Sequence, residues 1–216
     1  LYPSKARTES EMVPDVVYTY EYTSRFRSEE DINITTTNEA GQGHLLMFRD
    51  SFGNALLPFF AQHFSTARFS RAVPCDFTLA DSGSVVIYEI VQRNLANIIS
   101  YAPVMPAEKI AVPAFVTGDS GCVRLLSEPH DNLLHIYGEI DESLLAADST
   151  LSILLTDASG SQAAYRCFPI SESSMYDDGV VRDNGFSCYL DQSNLAVGSY
   201  QIAVCVQTNG KTIAYS

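Results

Sequence analysis

Leu45-Leu46-Met47-Phe48-Arg49-Asp50-Ser51-Phe52-Gly53-Asn54 carries the strongest structural signal in this chain of 216 residues. Four consecutive apolar residues, 45–48, predict a strand buried on both faces, as in a parallel sheet covered by helices. Asp50 and Ser51 are turn and N-cap types. Beyond them Phe52, Ala55, Leu56, Phe59, Phe60 and Phe64 recur at helical spacing. Pro58 lies inside that pattern and predicts a kink or a later helix start. A strand that ends, a sharp Asp-Ser turn and a new helix would expose a serine hydroxyl at the carboxyl edge of a sheet. Helix-N-terminal amides would lie beside it, suited to an oxyanion. The plainer alternative is that Ser51 only caps the helix.

A second unit of the same kind follows. Residues 84–90 (Ser-Val-Val-Ile-Tyr-Glu-Ile) read as a strand, and Leu95, Ile98 and Ile99 as the face of a short helix. Two strand–helix units in succession predict a parallel α/β sheet for residues 1–106. Parallel strands present their carboxyl ends on one edge, where ligands bind. Arg93 and Asn94 would follow such an end and join Ser51 there, Arg93 to hold a carboxylate or sugar hydroxyl and Asn94 to donate to an oxyanion. A solvent-facing Arg93 at a helix start is the alternative. For Glu89, pairing with a nearby arginine is preferred to a role as catalytic acid. Ala102-Pro103-Val104-Met105-Pro106-Ala107 reads as a linker or domain-entry strand, because prolines at that density favour extended backbone.

Residues 107–216 change character. Strand patterns at 123–126, 133–140, 152–156, 163–168, 185–190, 199–207 and 212–215 predict an antiparallel β-sandwich of immunoglobulin-like size. Asp157-Ala158-Ser159-Gly160, Asp183-Asn184-Gly185 and Asn209-Gly210 supply turns, the last with the signature of a type I′ hairpin. Acidic clusters at Tyr176-Asp177-Asp178-Gly179 and Arg182-Asp183-Asn184-Gly185 lack EF-hand spacing and read as polar loops rather than Ca²⁺ ligands. Tyr176 and Tyr189 are residues that would stack on sugars if exposed, or pack on a sheet if not.

The formal net charge is −13, split as 8 basic and 12 acidic residues in 1–106 against 5 and 14 in 107–216. A nucleic-acid partner is disfavoured, since no positive footprint is available for phosphates. No apolar run is long enough to cross a bilayer. The chain starts at Leu1 without a cleavable apolar segment and reads as a piece of a longer protein. Five cysteines (Cys75, Cys122, Cys167, Cys188, Cys205) show neither CxxC pairing nor histidines at metal spacing, so no metal or other cofactor is expected. Cys167, Cys188 and Cys205 lie in apolar strand patterns as buried thiols. One disulfide among them is compatible with export.

The segments Phe48-Arg49-Asp50-Ser51-Phe52-Gly53-Asn54-Ala55-Leu56-Leu57-Pro58-Phe59 and Tyr88-Glu89-Ile90-Val91-Gln92-Arg93-Asn94-Leu95 together resemble the DHHW family of SGNH (GDSL-like) hydrolase-type proteins, relatives of the alginate O-acetylation proteins. The resemblance covers roughly residues 10–105. It implies the C-terminal part of an SGNH/flavodoxin-like α/β domain in an exported or membrane-anchored bacterial protein, with Ser51 as nucleophile. Phe52, Gly53, Asn54, Arg93 and Asn94 are then the candidates for oxyanion and substrate contacts.

A serine hydrolase needs a base, usually histidine. His63 is twelve residues beyond Ser51, about 18 Å along a helix, and His44 seven residues before it, about 23 Å along a strand. Neither reaches. His130 reads as a loop residue and His135 as a strand-face residue, and His130 and Asp131, being adjacent, point apart. In the family the Asp and His precede the nucleophile in an Asp-His-His-Trp-type segment, and this chain has no such segment and no tryptophan. The base is therefore expected upstream of Leu1, with residues 1–216 inactive alone. The expected whole is a cell-surface or secreted bacterial esterase or O-acetyltransferase acting on an acylated polysaccharide or cell-wall glycan. Residues 107–216 would then be an accessory domain, or a shield for the catalytic sheet. The alternative is a non-catalytic surface module that binds glycan or protein.

Overall fold

A computed structural model describes residues 19–23, 25–172 and 180–216. The chain is mostly β and divides into two compact units, Leu1–Ala72 with Leu79–Ile90, and Val73–Thr78 with Val91–Ser216. Residues 91–106, read above with the first part, thus belong to the second unit. The cluster at 176–179, including Tyr176, lies outside the described residues.

The first unit holds β1 (Glu21–Tyr22), β2 (Asn33–Thr37), β3 (His44–Phe48), the helix α1 (Leu57–Ala61), β4 (Thr66–Ser70) and β5 (Val85–Tyr88), in the sheet order β1-β2-β4-β3-β5. The strands β4, β3 and β5 run parallel, with Phe48 level with Ser70 on one side and Tyr88 on the other. As the apolar run predicts, Leu45, Leu46, Met47 and Phe48 are all buried. The sheet is mixed, however, because β2 pairs antiparallel with both β1 and β4. Only six residues join β2 to β3, too few for the crossover that a parallel pair requires. Ile34, Leu45, Met47, Ala67 and Phe69 pack with Leu57 and Ala61 of α1 into one core. The expected helix over 52–64 divides into a 3-10 helix, Phe52–Leu56, and the short α1. Pro58 is the cause. It has no amide for the carbonyl of Asn54, yet it is well suited to the first turn of the α1 that follows.

The second unit holds β6 (Lys109–Ile110), β7 (Val116–Thr117), β8 (Val123–His130), β9 (Leu133–Ile140), β10 (Thr150–Asp157), β11 (Gln162–Arg166), β12 (Phe168–Glu172), β13 (Arg182–Asp191), β14 (Tyr200–Thr208) and β15 (Lys211–Tyr215). They form a six-stranded sheet, β6-β11-β10-β14-β15-β7, and a four-stranded one, β12-β13-β9-β8. Ile136, Ile140, Phe186, Cys188 and Leu190 of the smaller sheet share a core with Ile153, Leu155, Val204 and Val206 of the larger. All pairings are antiparallel except that of β7 with β15. Asn209 and Gly210 both have positive φ, 51° and 73°, and close the β14–β15 hairpin as expected. Asp183-Asn184-Gly185, read as a turn, lies within β13 instead. Asn184 is buried and donates through its side-chain amide to the carbonyl of Ile140 at 3.0 Å, which partners one end of a polar side chain that would otherwise mark a loop. The stretch 102–107 is no free linker: Val104 is buried against Leu133 and Tyr189, and the Ala107 amide bonds the Tyr189 carbonyl at 2.7 Å.

Candidate active site at the carboxyl edge of the first sheet

The three parallel strands end side by side, and the residue after each end is charged: Arg49 after β3, Arg71 after β4 and Glu89 after β5. Backbone bonds continue the pairing one step further, from the Arg49 amide to the Ser70 carbonyl and from the Glu89 amide to the Phe48 carbonyl, both at 2.8 Å. Beyond that step the chain leaves β3. The Glu89 carboxylate accepts the Asp50 amide at 3.1 Å, and the Asp50 carboxylate accepts the Phe52 amide at 2.8 Å. Two carboxylates therefore hold the turn from opposite sides.

Ser51 sits at the crest of this turn in helical conformation (φ −68°, ψ −20°), exposed, with its hydroxyl making no cap hydrogen bond. Asp50 performs the capping instead, through an Asx-type turn. The alternative in which Ser51 serves only as a cap does not describe this geometry.

The remaining candidates have more constrained roles. Phe52 is exposed and its amide is committed to Asp50. Gly53 is buried, and a Cβ there would lie 2.7 Å from the Arg49 Cβ and 2.8 Å from Glu89 Oε2, so only glycine permits this approach. The Asn54 side chain is held at both ends: its carbonyl accepts from Arg49 Nη1, and its amide donates to Glu30 Oε1 at 2.8 Å. Arg93 and Asn94 stand in the second unit, on the 3-10 helix Gln92–Ser100, where the Asn94 amide caps back to the Val91 carbonyl at 2.8 Å.

Arg49 was not singled out from sequence, yet it organises the edge. It is 4% exposed, and its Nη2 donates to the carbonyls of Glu29 and Asp31, each at 3.0 Å. Burial, reinforced by Arg71, lowers its pKa, while Glu30, Glu89 and Asp31 oppose that shift. Glu30 completes the network by accepting from Arg71 Nη1 at 2.5 Å. Glu89 accepts the Asp50 amide, and its charge opposes the lowering of the Arg49 pKa. Arginine directly after a buried strand, followed by Asp-Ser, was the available signal.

Neither histidine of the first unit stands at this edge. His44 opens β3 level with Thr66, at the opposite end of the strands, and the His63 carbonyl bonds the Gln42 amide there. In the second unit His130 ends β8 and His135 lies on β9. His135 makes an arrangement absent from the sequence reading: Nε2 contacts Ser187 Oγ at 2.9 Å and Nδ1 contacts Glu128 Oε1 at 3.2 Å. The connectivity is that of a hydrolase triad, but Ser187 is 3% exposed in mid-strand, with its backbone inside the ladder. No acyl group has access to it. The His135 ring stacks on Tyr189 at 4.1 Å and on Tyr137 at 4.5 Å. Tyr189 is buried in that stack, which removes it as a sugar platform.

Among the described residues, no three His, Cys, Asp or Glu side chains gather as a metal site, and no helix is long and apolar enough to cross a membrane. No family model matches the chain, and no curated protein is similar to it.

Proposed function

We propose that this chain carries the nucleophile of an SGNH-type serine esterase or O-acetyltransferase of the DHHW kind, acting on acylated glycan at a bacterial cell surface. In this reading the first unit is the C-terminal part of the SGNH-like α/β domain. The second is an immunoglobulin-like β-sandwich accessory domain. The observation that carries the proposal is Ser51: exposed at the carboxyl edge of three parallel strands, its hydroxyl free of cap duty, on a turn braced by Asp50 and Glu89. Ser51 Oγ attacks the ester carbonyl, the sugar oxygen leaves as the alcohol, and an acyl-enzyme forms, with the Gly53 amide stabilising the oxyanion. The base that takes the Ser51 proton comes from outside residues 1–216. Hydrolysis or transfer then depends on whether water or a sugar hydroxyl accepts the acyl group.

The test is turnover of p-nitrophenyl acetate by the full-length protein. Ser51→Ala should lower kcat by on the order of 10³-fold or more, as removal of a nucleophile does, with the circular dichroism spectrum unchanged. Unchanged turnover in a folded variant overturns the assignment.

One observation favours a second reading, a surface module that binds glycan or protein without catalysis. Both histidines of the first unit lie at the far end of its strands. If the full-length protein turns over no ester and residues 1–216 retain a glycan on an array, the binding reading replaces the enzymatic one.

A further inference from the structure

The second unit brings two of its thiols together. Cys167 is the single residue between β11 and β12, where the chain passes from the six-stranded sheet to the four-stranded one. Its amide still donates to the Leu151 carbonyl of β10, at 3.1 Å. The next residue, Phe168, already pairs with Ser187 of β13. Continuing that antiparallel register by one step sets Cys167 opposite Cys188. Both belong to the same core cluster, 7% and 0% exposed. Directly opposed residues of an antiparallel pair have Cβ atoms about 4.5–5.5 Å apart, and a disulfide needs about 3.5–4.5 Å. A small approach of the two strands at this position closes that gap.

The third buried thiol faces elsewhere. Cys205 packs with Leu154, Ala164 and Ala214 in a separate cluster, while its neighbours Val204 and Val206 point into the core that holds Cys167 and Cys188. Alternation along β14 thus puts Cys205 on the other face of the six-stranded sheet.

We propose that Cys167 and Cys188 are a disulfide site, which ties the sheet-crossing strand β12 to β13 when the chain folds in the presence of a disulfide oxidant. The bond closes a loop of twenty residues, 168–187. With oxidised glutathione as oxidant, one cysteine thiolate attacks a glutathione sulfur, forming a mixed disulfide and releasing one reduced glutathione. The second thiolate then displaces the other glutathione and forms the Cys167–Cys188 bond. Two thiol protons go to solvent or to the released thiolates, and two electrons reduce the oxidant. Exchange needs thiolate. In the folded chain the contact with Cys188 and burial hold the Cys167 thiol well above its ordinary value. The native Cys167 thiol is therefore a poor nucleophile, and the bond forms as the strands pair.

The 216-residue chain, refolded from denaturant in a mixed glutathione buffer and alkylated, should carry three alkyl groups instead of five and have lost the two thiol hydrogens of the bonded pair. Its non-reducing peptide map should join residues 167 and 188, with Cys75, Cys122 and Cys205 alkylated. The oxidised protein should melt at a higher temperature than the same sample treated with reductant. Cys188→Ser should remove the cross-linked peptide without creating another. Alkylation or stable glutathione adducts at both 167 and 188, or a bond from either to Cys75, Cys122 or Cys205, overturns the proposal. Should Cys188→Ser fail to fold, the map of the unaltered chain decides alone.

Discussion

Glu89, Asp50 and Gly53 show how a few atoms fix the position of an exposed serine. The Glu89 carboxylate reaches the Asp50 amide only because residue 53 has no side chain in the way. Gly53→Ala would put a methyl group 2.8 Å from Glu89 Oε2 and 2.7 Å from the Arg49 Cβ, with both neighbours tied into the same network. Overpacking of this kind costs about 1–3 kcal/mol. Urea unfolding should show a lower midpoint with an unchanged m value. His135 makes a different residue-scale prediction. Burial lowers its pKa, and the bond to Glu128 only partly offsets this. A depressed histidine pKa means that the folded state resists a proton which the unfolded chain accepts. Stability is then fully present above the ordinary histidine value near 6.5 and declines as pH falls from there through the folded-state value. The melting temperature should therefore drop between about pH 7 and pH 5, and His135→Gln should flatten that drop relative to the unaltered protein. Parallel curves for the two proteins would show that another group controls the acid limb.

At the scale of elements, the closest constraint is between β8 and β9. A Cβ at Gly138 would lie 1.9 Å from the Arg124 carbonyl oxygen and 3.1 Å from the Phe186 ring. Backbone cannot yield as a flexible side chain does. Gly138→Ala should separate β8 from β9 and cost several kcal/mol, about 3 or more, at the upper end of single substitutions. Chemical denaturation or failure to recover soluble protein would register it, and a loss below about 0.5 kcal/mol would refute the strand register. The elements also differ in how openly the chain announces them. β9 is bounded as its apolar alternation predicts, and Asn209-Gly210 turns where two tolerant residues stand between strands. β2 and β4 escape notice because Asn33-Ile34-Thr35-Thr36-Thr37 and Thr66-Ala67-Arg68-Phe69-Ser70 read as polar. Thr36 is nonetheless fully buried, since pairing of β2 with β1 and β4 encloses it. The first residues of β13, Arg182-Asp183-Asn184, hide behind turn-type chemistry for the same reason, with the Asn184 amide donating to a carbonyl of another segment.

For the whole molecule, the excess of acidic over basic residues is the property that position along the chain cannot conceal. A formal charge of −13 repels itself in the compact state. Raising NaCl from about 10 mM to about 150 mM shortens the screening length from roughly 30 Å to roughly 8 Å. The melting temperature at neutral pH should rise by a few degrees, and a fall would mean that attractive pairs such as Arg71–Glu30 outweigh the repulsion. The amino-acid order alone determined the buried strand at 45–48, the exposed Asp-Ser turn after it and most of the strands beyond residue 120. These rest on periodicity and turn chemistry, which operate over a few neighbouring residues. Tertiary structure alone decided that Asp50 rather than Ser51 caps the helix and that Arg49 anchors the edge. It also decided that Cys167 meets Cys188 and not Cys205. Each of those outcomes depends on which distant segment lies alongside, and that is set by burying apolar surface across the whole unit.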